Sequence, residues 1–214
     1  MVVVGSFQPV TQARSAVLLL HMMPADRHSW EAMQTALFDL GISSLAIDLR
    51  GHGESTIREG GRIDYRNFSL AESRDSMEDV RSAIQWLGTR GIPSDQVAVM
   101  GASIGANLAL GIAVEQKEIP AVVLLSPGEV YSGIGTFTAA KQLAPSQALW
   151  AVASQGDDQE SFDATEQIVR FAPSEEKIFK SLTASGHGTK IFLQHPDLIG
   201  EIADWLKSRL MKRS

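Results

Sequence analysis

Six short apolar runs alternate with amphipathic segments along the chain. Several of the runs are apolar throughout, which is typical of parallel strands covered on both faces by helices. Between them, apolar residues recur at helical spacing, as in the series Met77, Val80, Ile84 and Leu87. This alternation predicts an α/β fold, a doubly wound, mostly parallel sheet with helices on both faces. The predicted strands are residues 16–21, 44–48, 97–100, 121–126, 149–154 and 177–182.

Length and composition narrow the class of protein. The 214 residues are enough for one α/β domain over residues 1–214, and we find no internal repeat or linker that would divide it. The net charge is −6 and no run of Lys and Arg forms a basic stripe, so nucleic acid is not an expected partner. The absence of cysteine excludes disulfides, thiolate zinc sites and a cysteine nucleophile.

No targeting or membrane segment is evident in the sequence. The longest unbroken apolar run, residues 148–153, is too short to span a bilayer. The first ten residues lack the basic start and long apolar stretch of a signal peptide. We therefore expect a cytoplasmic protein without a membrane span, unless a leader was removed from a longer precursor. The sequence does not indicate an oligomeric state.

A Gly-x-Ser-x-Gly pattern, residues 101–105, follows the third predicted strand. The pattern alone is weak, but a strand that ends at Met100 and a helix that begins near residue 106 provide the context of a nucleophile held on a tight turn. Such a turn needs neighbours without side chains, and Gly101 and Gly105 meet that need. We predict that Ser103 is a nucleophile. The alternative is a helix-capping serine between two packing glycines.

A serine nucleophile needs a base, and two histidines stand in Gly-His-Gly triplets, His52 and His187. His187 follows the last predicted strand, at the sheet edge where ligands bind in doubly wound folds. The chain order serine, acid, histidine also favours His187 over His52, which precedes Ser103. A solvent-facing loop histidine is the alternative for His187.

The base in turn needs a carboxylate to fix its tautomer. The fifth predicted strand is followed by Gly156, and Asp157 is the first carboxylate after that strand, with Asp158 adjacent. We favour Asp157 as the acid and keep Asp158 as the second candidate. One or both of these residues could instead cap the helix that follows.

A developing oxyanion needs hydrogen-bond donors already in place. The backbone N–H of Ile104, directly after the serine, is one natural donor. We expect the second from the loop after the first predicted strand, where Met23 is the better candidate and Met22 the lesser. The methionine side chains could equally line an apolar pocket.

These motifs together resemble the α/β-hydrolase fold superfamily over nearly the whole chain. The matching segments, in order, are VLLLH, AIDLRGHGES, VAVMGASIGA, AVVLLSP, WAVASQGDD, TASGHG and LIGEIADWL. The resemblance implies Ser103, Asp157 and His187 as a catalytic triad, with Ile104 and Met23 as oxyanion donors. It is closest to compact bacterial carboxylesterases of the dienelactone-hydrolase-like kind, with serine in place of the cysteine nucleophile of dienelactone hydrolases.

The chain departs from the usual family pattern in three places. Relatives commonly carry His-Gly where this chain has His21-Met22, which predicts a differently shaped oxyanion hole. The fold usually has two or more strands before residue 16, but here only residues 2–5 or a nearby stretch could serve, so we expect a sheet shortened at the N-terminus. The segment 127–143 lies where many relatives insert a lid and is too short for a helical cap domain.

The short segment predicts an open site that disfavours long acyl chains. Within it, Glu129 and Tyr131 follow a strand and could shape the substrate pocket, although a solvated turn is an equal alternative. Overall, the sequence predicts a serine hydrolase that cleaves a small carboxylic ester or a thioester without a metal or organic cofactor. The alternatives are an acyltransferase or perhydrolase with the same triad, and a non-catalytic ligand-binding protein of this fold.

Overall fold

A computed structural model of the protein describes residues 1–156 and 158–211. Within these ranges the chain alternates strands and helices, as the apolar runs predict. The strands are β1 (Gly5–Gln8), β2 (Ala16–Leu20), β3 (Ser43–Ile47), β4 (Ile57–Arg58), β5 (Gly61–Arg62), β6 (Val97–Ala102), β7 (Ala121–Leu125), β8 (Val130–Tyr131), β9 (Ile134–Gly135), β10 (Ala148–Gln155) and β11 (Lys177–Thr183).

Seven of the strands form one sheet in the order β1-β3-β2-β6-β7-β10-β11. Six of them run parallel, and only the edge strand β1 pairs antiparallel with its neighbour β3. From β2 the chain moves to one side of the sheet to form β3, and it then crosses back to the other side of β2 to form β6, so that β2 and β6 lie side by side. The ends of these two central strands open at a switch point, where doubly wound sheets bind their ligands.

Helices cover both faces of the sheet, which confirms the predicted fold class. Two of them, α1 (Glu31–Asp39) and α8 (Asp197–Met211), pack on one face through the side chains of Leu37 and Leu206. On the other face, α3 (Ser76–Thr89) and α4 (Ile104–Glu115) pack against the opposite side of the same strands through Leu87 and Leu108. The helices are α1 (Glu31–Asp39), α2 (Leu70–Arg74), α3 (Ser76–Thr89), α4 (Ile104–Glu115), α5 (Phe137–Ala140), α6 (Gln159–Phe171), α7 (Ile191–Gln194) and α8 (Asp197–Met211).

Strand β6 is two residues longer than the apolar pattern predicts. Gly101 and Ala102 remain in register with Leu124 and Leu125 of β7, so the sheet carries the chain up to the residue before Ser103. The apolar run itself ends at Met100, and the glycine that follows has a low strand propensity. The ladder with β7 overrides that preference, and the serine therefore lies directly at the strand end.

The structure agrees with two predictions from the sequence, that the sheet is shortened at its N-terminal side and that residues 127–143 do not form a cap domain. One strand, β1, precedes β2 among the described residues, which makes the N-terminal part of the sheet short. Residues 127–143 form the hairpin β8–β9 and the one-turn helix α5 rather than a cap domain. In the described ranges, each helix is too short or too polar to cross a membrane.

Candidate active site

Ser103 lies on a sharp turn between β6 and α4. Its φ of +54° and ψ of −121° are sparsely populated for any residue with a side chain. The flanking glycines permit this turn, because a Cβ on Gly101 would overlap the Gly105 carbonyl and a Cβ on Gly105 would overlap the Leu20 carbonyl. The Ser103 amide donates a hydrogen bond to the Leu125 carbonyl at 2.8 Å. The turn therefore has the geometry of a nucleophile elbow.

The helix after the turn directs backbone donors toward this position. Ile104 is the first residue of α4, so its N–H is among the first four amides of the helix, which have no intrahelical acceptor. The partial positive charge of a helix N-terminus adds to the field at this point. Within the described part of the chain, the Ser103 side chain makes no capping hydrogen bond to α4. The capping alternative for this serine is therefore not what the structure shows.

His187 contacts a carboxylate on the loop beyond β10. Its Nδ1 atom is paired with Oδ2 of Asp158, and both side chains are about one quarter exposed, at 29% and 24%. The other oxygen of Asp158 accepts the Ser161 amide at 3.1 Å and so caps α6. Asp158 thus makes both of the contacts that the sequence left as alternatives, one with the histidine and one at the start of a helix. Asp157, the acid favoured from the sequence, lies outside the described residues.

The loop that carries His187 is anchored at the same end of the sheet as Ser103. The amide of the next residue, Gly188, donates to Oγ of Ser126 at 2.9 Å. A Cβ on Gly188 would lie 3.4 Å from the Cβ of Ala102, the residue before the serine. The residue after His187 therefore lies next to the residue before Ser103. The structure thus brings Ser103, His187 and Asp158 to one edge of the sheet.

Tyr131 lies over this edge on the hairpin β8–β9. Its ring packs against Gly128, where a Cβ would overlap the ring atoms, and it meets the imidazole of His187 edge to face at 6.4 Å between centroids. Glu129 of the same segment is exposed, and its carbonyl accepts the Thr136 amide at 2.9 Å. Of the two pocket residues predicted in this segment, only the tyrosine faces the candidate site.

The two methionines after β2 have different environments. Met22 is 6% exposed, and its sulfur lies beside Gly188 and within 3.9 Å of Oγ1 of Thr189, under the loop that carries His187. Met23 is 39% exposed and lines a cavity together with Ile104. The structure thus gives Met22 a supporting position below the histidine loop, and it brings Met23 close to the start of α4.

His21 fixes the loop that bears these methionines, a role that the sequence analysis missed. Its Nδ1–H donates to the Met22 carbonyl and its Nε2 accepts the Leu49 amide, each at 2.9 Å. Burial lowers the pKa of His21 to about 4, so the imidazole is neutral near pH 7. The available signal was its position directly after an apolar strand, where a histidine is buried and needs partners for both ring nitrogens.

His52, the other Gly-His-Gly histidine, forms part of a wall next to the site. Its Nδ1–H donates to the Arg50 carbonyl at 3.0 Å, and its ring stacks on Tyr65 at 3.9 Å. Burial lowers the pKa of His52, and its Nε2 has no hydrogen-bond partner among the described residues. The structure therefore places His52 in a stacked wall and His187 against a carboxylate.

The wall encloses a chamber of about 220 Å³ between the loop after β2 and the start of α4. Its apolar surface comes from side chains of three loops and from the first residues of α2 and α4, and Arg50 and the stacked His52–Tyr65 pair add polar groups. This volume is below the roughly 300 Å³ at which pockets for drug-sized ligands begin. The apolar lining residues are Met23, Leu49, Phe68, Leu70 and Ile104.

Buried ion pairs hold the loop after β3 in place around this chamber. Arg50 donates to both carboxylate oxygens of Asp79 on α3, and the Asp79 side chain is only 1% exposed. The fully buried Asp48 pairs with Arg27 and accepts the Glu54 amide at 2.8 Å. Both aspartates therefore tie the loop to distant parts of the chain. Removing either carboxylate would leave a buried charge without its partner, which is costly.

The described residues contain no group of three or more histidine, aspartate and glutamate side chains arranged to hold a metal ion. The carboxylates near the site have other partners: Asp158 contacts His187, and Asp79 contacts Arg50. The chemistry available at this edge is therefore that of a hydroxyl, an imidazole–carboxylate pair, a phenol and backbone amides.

The sequence matches the sequence model of the alpha/beta hydrolase fold family over residues 15–159. It is also 32% identical over 134 residues to an uncharacterized protein found in two strains of Mycobacterium tuberculosis. That match covers 61% of this chain and 43% of the relative. The chain thus spans less than half the length of the curated relatives that it matches.

Solved structures of hydrolases share the fold at low sequence identity. A monoacylglycerol lipase from Paleococcus ferrophilus superimposes with a TM-score of 0.76 at 16% identity, covering 98% of this chain and 100% of that one. A dienelactone hydrolase from Anabaena variabilis gives a TM-score of 0.71 at 19% identity, covering 98% and 91%. An esterase from Pyrococcus furiosus gives 0.76 at 17% identity, covering 94% and 85%. At these identities the similarity establishes the fold.

Proposed function

The chain belongs to the alpha/beta hydrolase fold family, and on that premise we propose that it is a serine hydrolase of small carboxylic esters. In this proposal Ser103 is the nucleophile, His187 the general base and acid, and Asp158 the carboxylate that orients the histidine. Fold alone does not imply an activity, so the proposal depends on the site.

The observation that carries the proposal is the junction of two features at one sheet edge. A serine with φ of +54° stands on an elbow between β6 and α4, and the loop beside it presents a histidine whose Nδ1 contacts a carboxylate. A carboxylate at Nδ1 keeps the proton on that nitrogen and leaves Nε2 free to accept one. A serine hydroxyl becomes an effective nucleophile only with such a base.

Acylation follows from these roles. The oxygen of Ser103 forms a bond to the ester carbonyl carbon, and its proton passes to Nε2 of His187. The electron pair of the C=O bond moves to the carbonyl oxygen. When the pair returns, the bond to the alcohol oxygen breaks, and that oxygen takes the proton from Nε2 of His187 and departs, which leaves the acyl group on Ser103. Backbone donors stabilise the charge on the carbonyl oxygen while the intermediate exists. We assign these donors to Ile104 and Met23. The first stands at a helix N-terminus, and the second belongs to the loop that faces it across the chamber.

Deacylation repeats the sequence with water. His187 takes a proton from a water molecule, the hydroxide attacks the acyl carbon, and the proton returns to the oxygen of Ser103 as the acid leaves. No metal ion or organic cofactor is needed in either step. A thioester can follow the same path, with a thiol as the leaving group in place of an alcohol.

The chamber next to Ile104 supports a short acyl group. Its volume of about 220 Å³ and its lining of Leu49, Phe68 and Leu70 suit a small apolar chain. Residues 127–143 add only a hairpin and one helical turn above the site, which supports an open entrance. The proposed substrates are therefore esters of short carboxylic acids.

The test combines a covalent probe with turnover. A fluorophosphonate should label the wild-type protein at Ser103, and p-nitrophenyl acetate should be hydrolysed, while Ser103→Ala should abolish both. Ser132→Ala is the control variant. It removes a different hydroxyl, at the rim of the chamber, and should leave Ser103 open to labelling.

The outcomes distinguish the proposal from its alternatives. Labelling without hydrolysis would favour a binding protein, and turnover that rises when an added alcohol or peroxide serves as acceptor would favour an acyltransferase or a perhydrolase. Absence of labelling, in folded protein, would remove Ser103 as a nucleophile and with it the proposed function.

A further inference from the structure

Tyr131 holds a phenol beside the imidazole of His187, the group that protonates the departing alcohol in the proposed function. We infer that the Tyr131 hydroxyl donates a hydrogen bond to the leaving-group oxygen during acylation and so acts as a further catalytic residue for alkyl esters. This inference rests on the proposed function, and it adds a group that assists the departure of poor leaving groups.

The hairpin that carries Tyr131 is fixed from two directions. On one side, the Asn107 side chain on α4 donates to the Ile134 carbonyl at 2.8 Å and accepts the Gly128 amide at 3.1 Å. On the other, Nε of Arg74 on α2 donates to the Gly133 carbonyl at 3.1 Å. The helix that starts at the nucleophile elbow therefore also sets the position of the hairpin.

The ring itself has little freedom to move. One face lies so close to Gly128 that a Cβ there would overlap its atoms. The ring also meets the His187 imidazole at 78° and 6.4 Å between centroids. The tyrosine ring is thus held between its own hairpin and the proposed base. Its hydroxyl lies near the hydroxyls of Ser161 and Ser103.

The surroundings keep this phenol protonated. Burial raises the pKa of Tyr131, and the nearby Asp158 carboxylate raises it further, whereas hydrogen bonding with the hydroxyls of Ser161 and Ser103 acts in the opposite direction. The net result is a raised pKa, so the group is an O–H donor throughout the neutral range. The same set of neighbours includes Ser103, so the phenol lies within reach of the reacting oxygen.

In the proposed function, the acyl group and the leaving alcohol of the ester have different neighbours. The chamber with Ile104 and Met23 suits the acyl group and the oxyanion. His187 must protonate the leaving oxygen, so the alcohol departs on the histidine side, and Tyr131 is the aromatic residue packed against that imidazole. The phenol and the imidazole therefore both face the departing oxygen.

The proposed step balances without another reagent. As the tetrahedral intermediate collapses, the bond from carbon to the alcohol oxygen breaks and its electron pair stays on that oxygen. The oxygen takes the proton from Nε2 of His187, while Tyr131 donates a hydrogen bond to it and keeps its own proton. The phenol thus stabilises negative charge that exists only near the transition state.

The experiment compares Tyr131→Phe with wild type on two esters of the same acid. For ethyl butanoate, whose alkoxide is a poor leaving group, we expect kcat/KM to fall about tenfold, the worth of one hydrogen bond to developing charge. For p-nitrophenyl butanoate, whose leaving group is a stabilised anion, the loss should be less than about twofold because that anion needs little assistance. The dependence of log kcat/KM on leaving-group basicity should become steeper in the variant.

Two results would overturn the inference. Equal losses on both esters would mean that the ring only supports the packing of the site, and no loss on either would mean that the phenol has no role. Tyr65→Phe is the matched control, because that tyrosine stacks on His52 at the chamber and should change both esters in the same proportion. Fluorophosphonate labelling of Ser103 in each variant separates this failure from failure of the proposed function itself.

A second measurement covers the case in which Tyr131→Phe does not fold. The chain has only two tyrosines, so Tyr65→Phe leaves Tyr131 as the single tyrosine. Biosynthetic replacement by fluorotyrosine then makes one phenol more acidic with almost no change of shape. The ratio of kcat/KM for ethyl butanoate to that for p-nitrophenyl butanoate should rise with fluorination. A constant ratio would contradict the inference.

Discussion

The carboxylate of Asp158 contacts Nδ1 of His187 with one oxygen, and with the other it closes the first turn of α6. The histidine loop and the helix are therefore fixed by a single side chain. The residue that orients the proposed base is thus itself held at a helix N-terminus.

We predict that Asp158→Asn lowers kcat/KM for p-nitrophenyl acetate by about 10³- to 10⁴-fold, because an amide no longer holds His187 in the required tautomer. Asparagine is a good N-cap, so α6 should keep its start and the protein its thermal midpoint. Steady-state kinetics and thermal unfolding check the two parts. Asp157→Asn is the adjacent control, and a larger loss of activity in that variant than in Asp158→Asn would assign the acid to Asp157.

The sequence could identify this acid only to within two neighbours. Both Ser103 and His187 stand alone after their strands, between glycines, so their positions follow from the strand ends. No such feature distinguishes two adjacent aspartates, because their orientation depends on the backbone of the turn before them, where Gly156 has a φ of +92°. The sequence allows Asp158 to be either a helix cap or an acid, whereas the structure shows its contacts with both the Ser161 amide and His187.

The apolar pattern of the sequence did not predict the chamber or the short hairpin β8–β9. The chamber is built from loops that the ion pair of Arg50 with Asp79 draws together across 29 residues. Short pairings such as β8–β9 leave no two-residue period long enough to recognise. Five of the six parallel strands are buried along nearly their whole length and were predictable as short apolar runs. The edge strand β11 is partly exposed and mixes lysine with apolar residues, so its signal is weaker.

We predict that the acyl-chain preference follows the chamber. In wild type, kcat/KM for p-nitrophenyl esters should be highest for acetate to butanoate and fall for octanoate, because the chamber holds only about 220 Å³. Phe68→Ala removes a ring from its wall and should raise the ratio of octanoate to butanoate activity about tenfold or more. The matched control is Phe38→Ala, an exposed phenylalanine on α1. An unchanged ratio in Phe68→Ala would place the acyl group elsewhere.

We predict that His21 makes the protein sensitive to mild acid. Its pKa is about 4 in the folded protein and about 6.5 when unfolded, so between these values the unfolded chain binds the extra proton. The contribution of the neutral His21 to the free energy of unfolding is therefore fully present above pH 6.5. It is lost as the pH falls toward 4, and the loss is at most about 3 kcal/mol.

Urea unfolding from pH 7 to pH 4 tests this effect. His21→Asn should flatten the pH dependence of the free energy of unfolding, although it is less stable at pH 7 than wild type. The exposed His28 supplies the control, and His28→Asn should keep the wild-type slope. Parallel pH profiles for wild type and His21→Asn would show that another group controls the acid limb.

We predict that the elbow does not tolerate a methyl group. Gly101→Ala places a Cβ on the Gly105 carbonyl, which cannot move without displacing α4, and should lower the free energy of unfolding by at least about 2 kcal/mol. Gly200→Ala is the control in the exposed face of α8, where nothing lies within 4 Å of the new Cβ. That substitution should stabilise the protein by about 0.5–1 kcal/mol. Similar effects at both positions, measured by chemical unfolding, would argue against a tight elbow.

The central claim is that Ser103 carries the acyl group during turnover, and mass spectrometry of a quenched reaction tests it most directly. After rapid mixing with p-nitrophenyl butanoate and acid quench, the peptide containing Ser103 should gain one butanoyl group, and His187→Ala should abolish that signal. Turnover with no acyl group on Ser103, or with the group on another residue, would contradict the account.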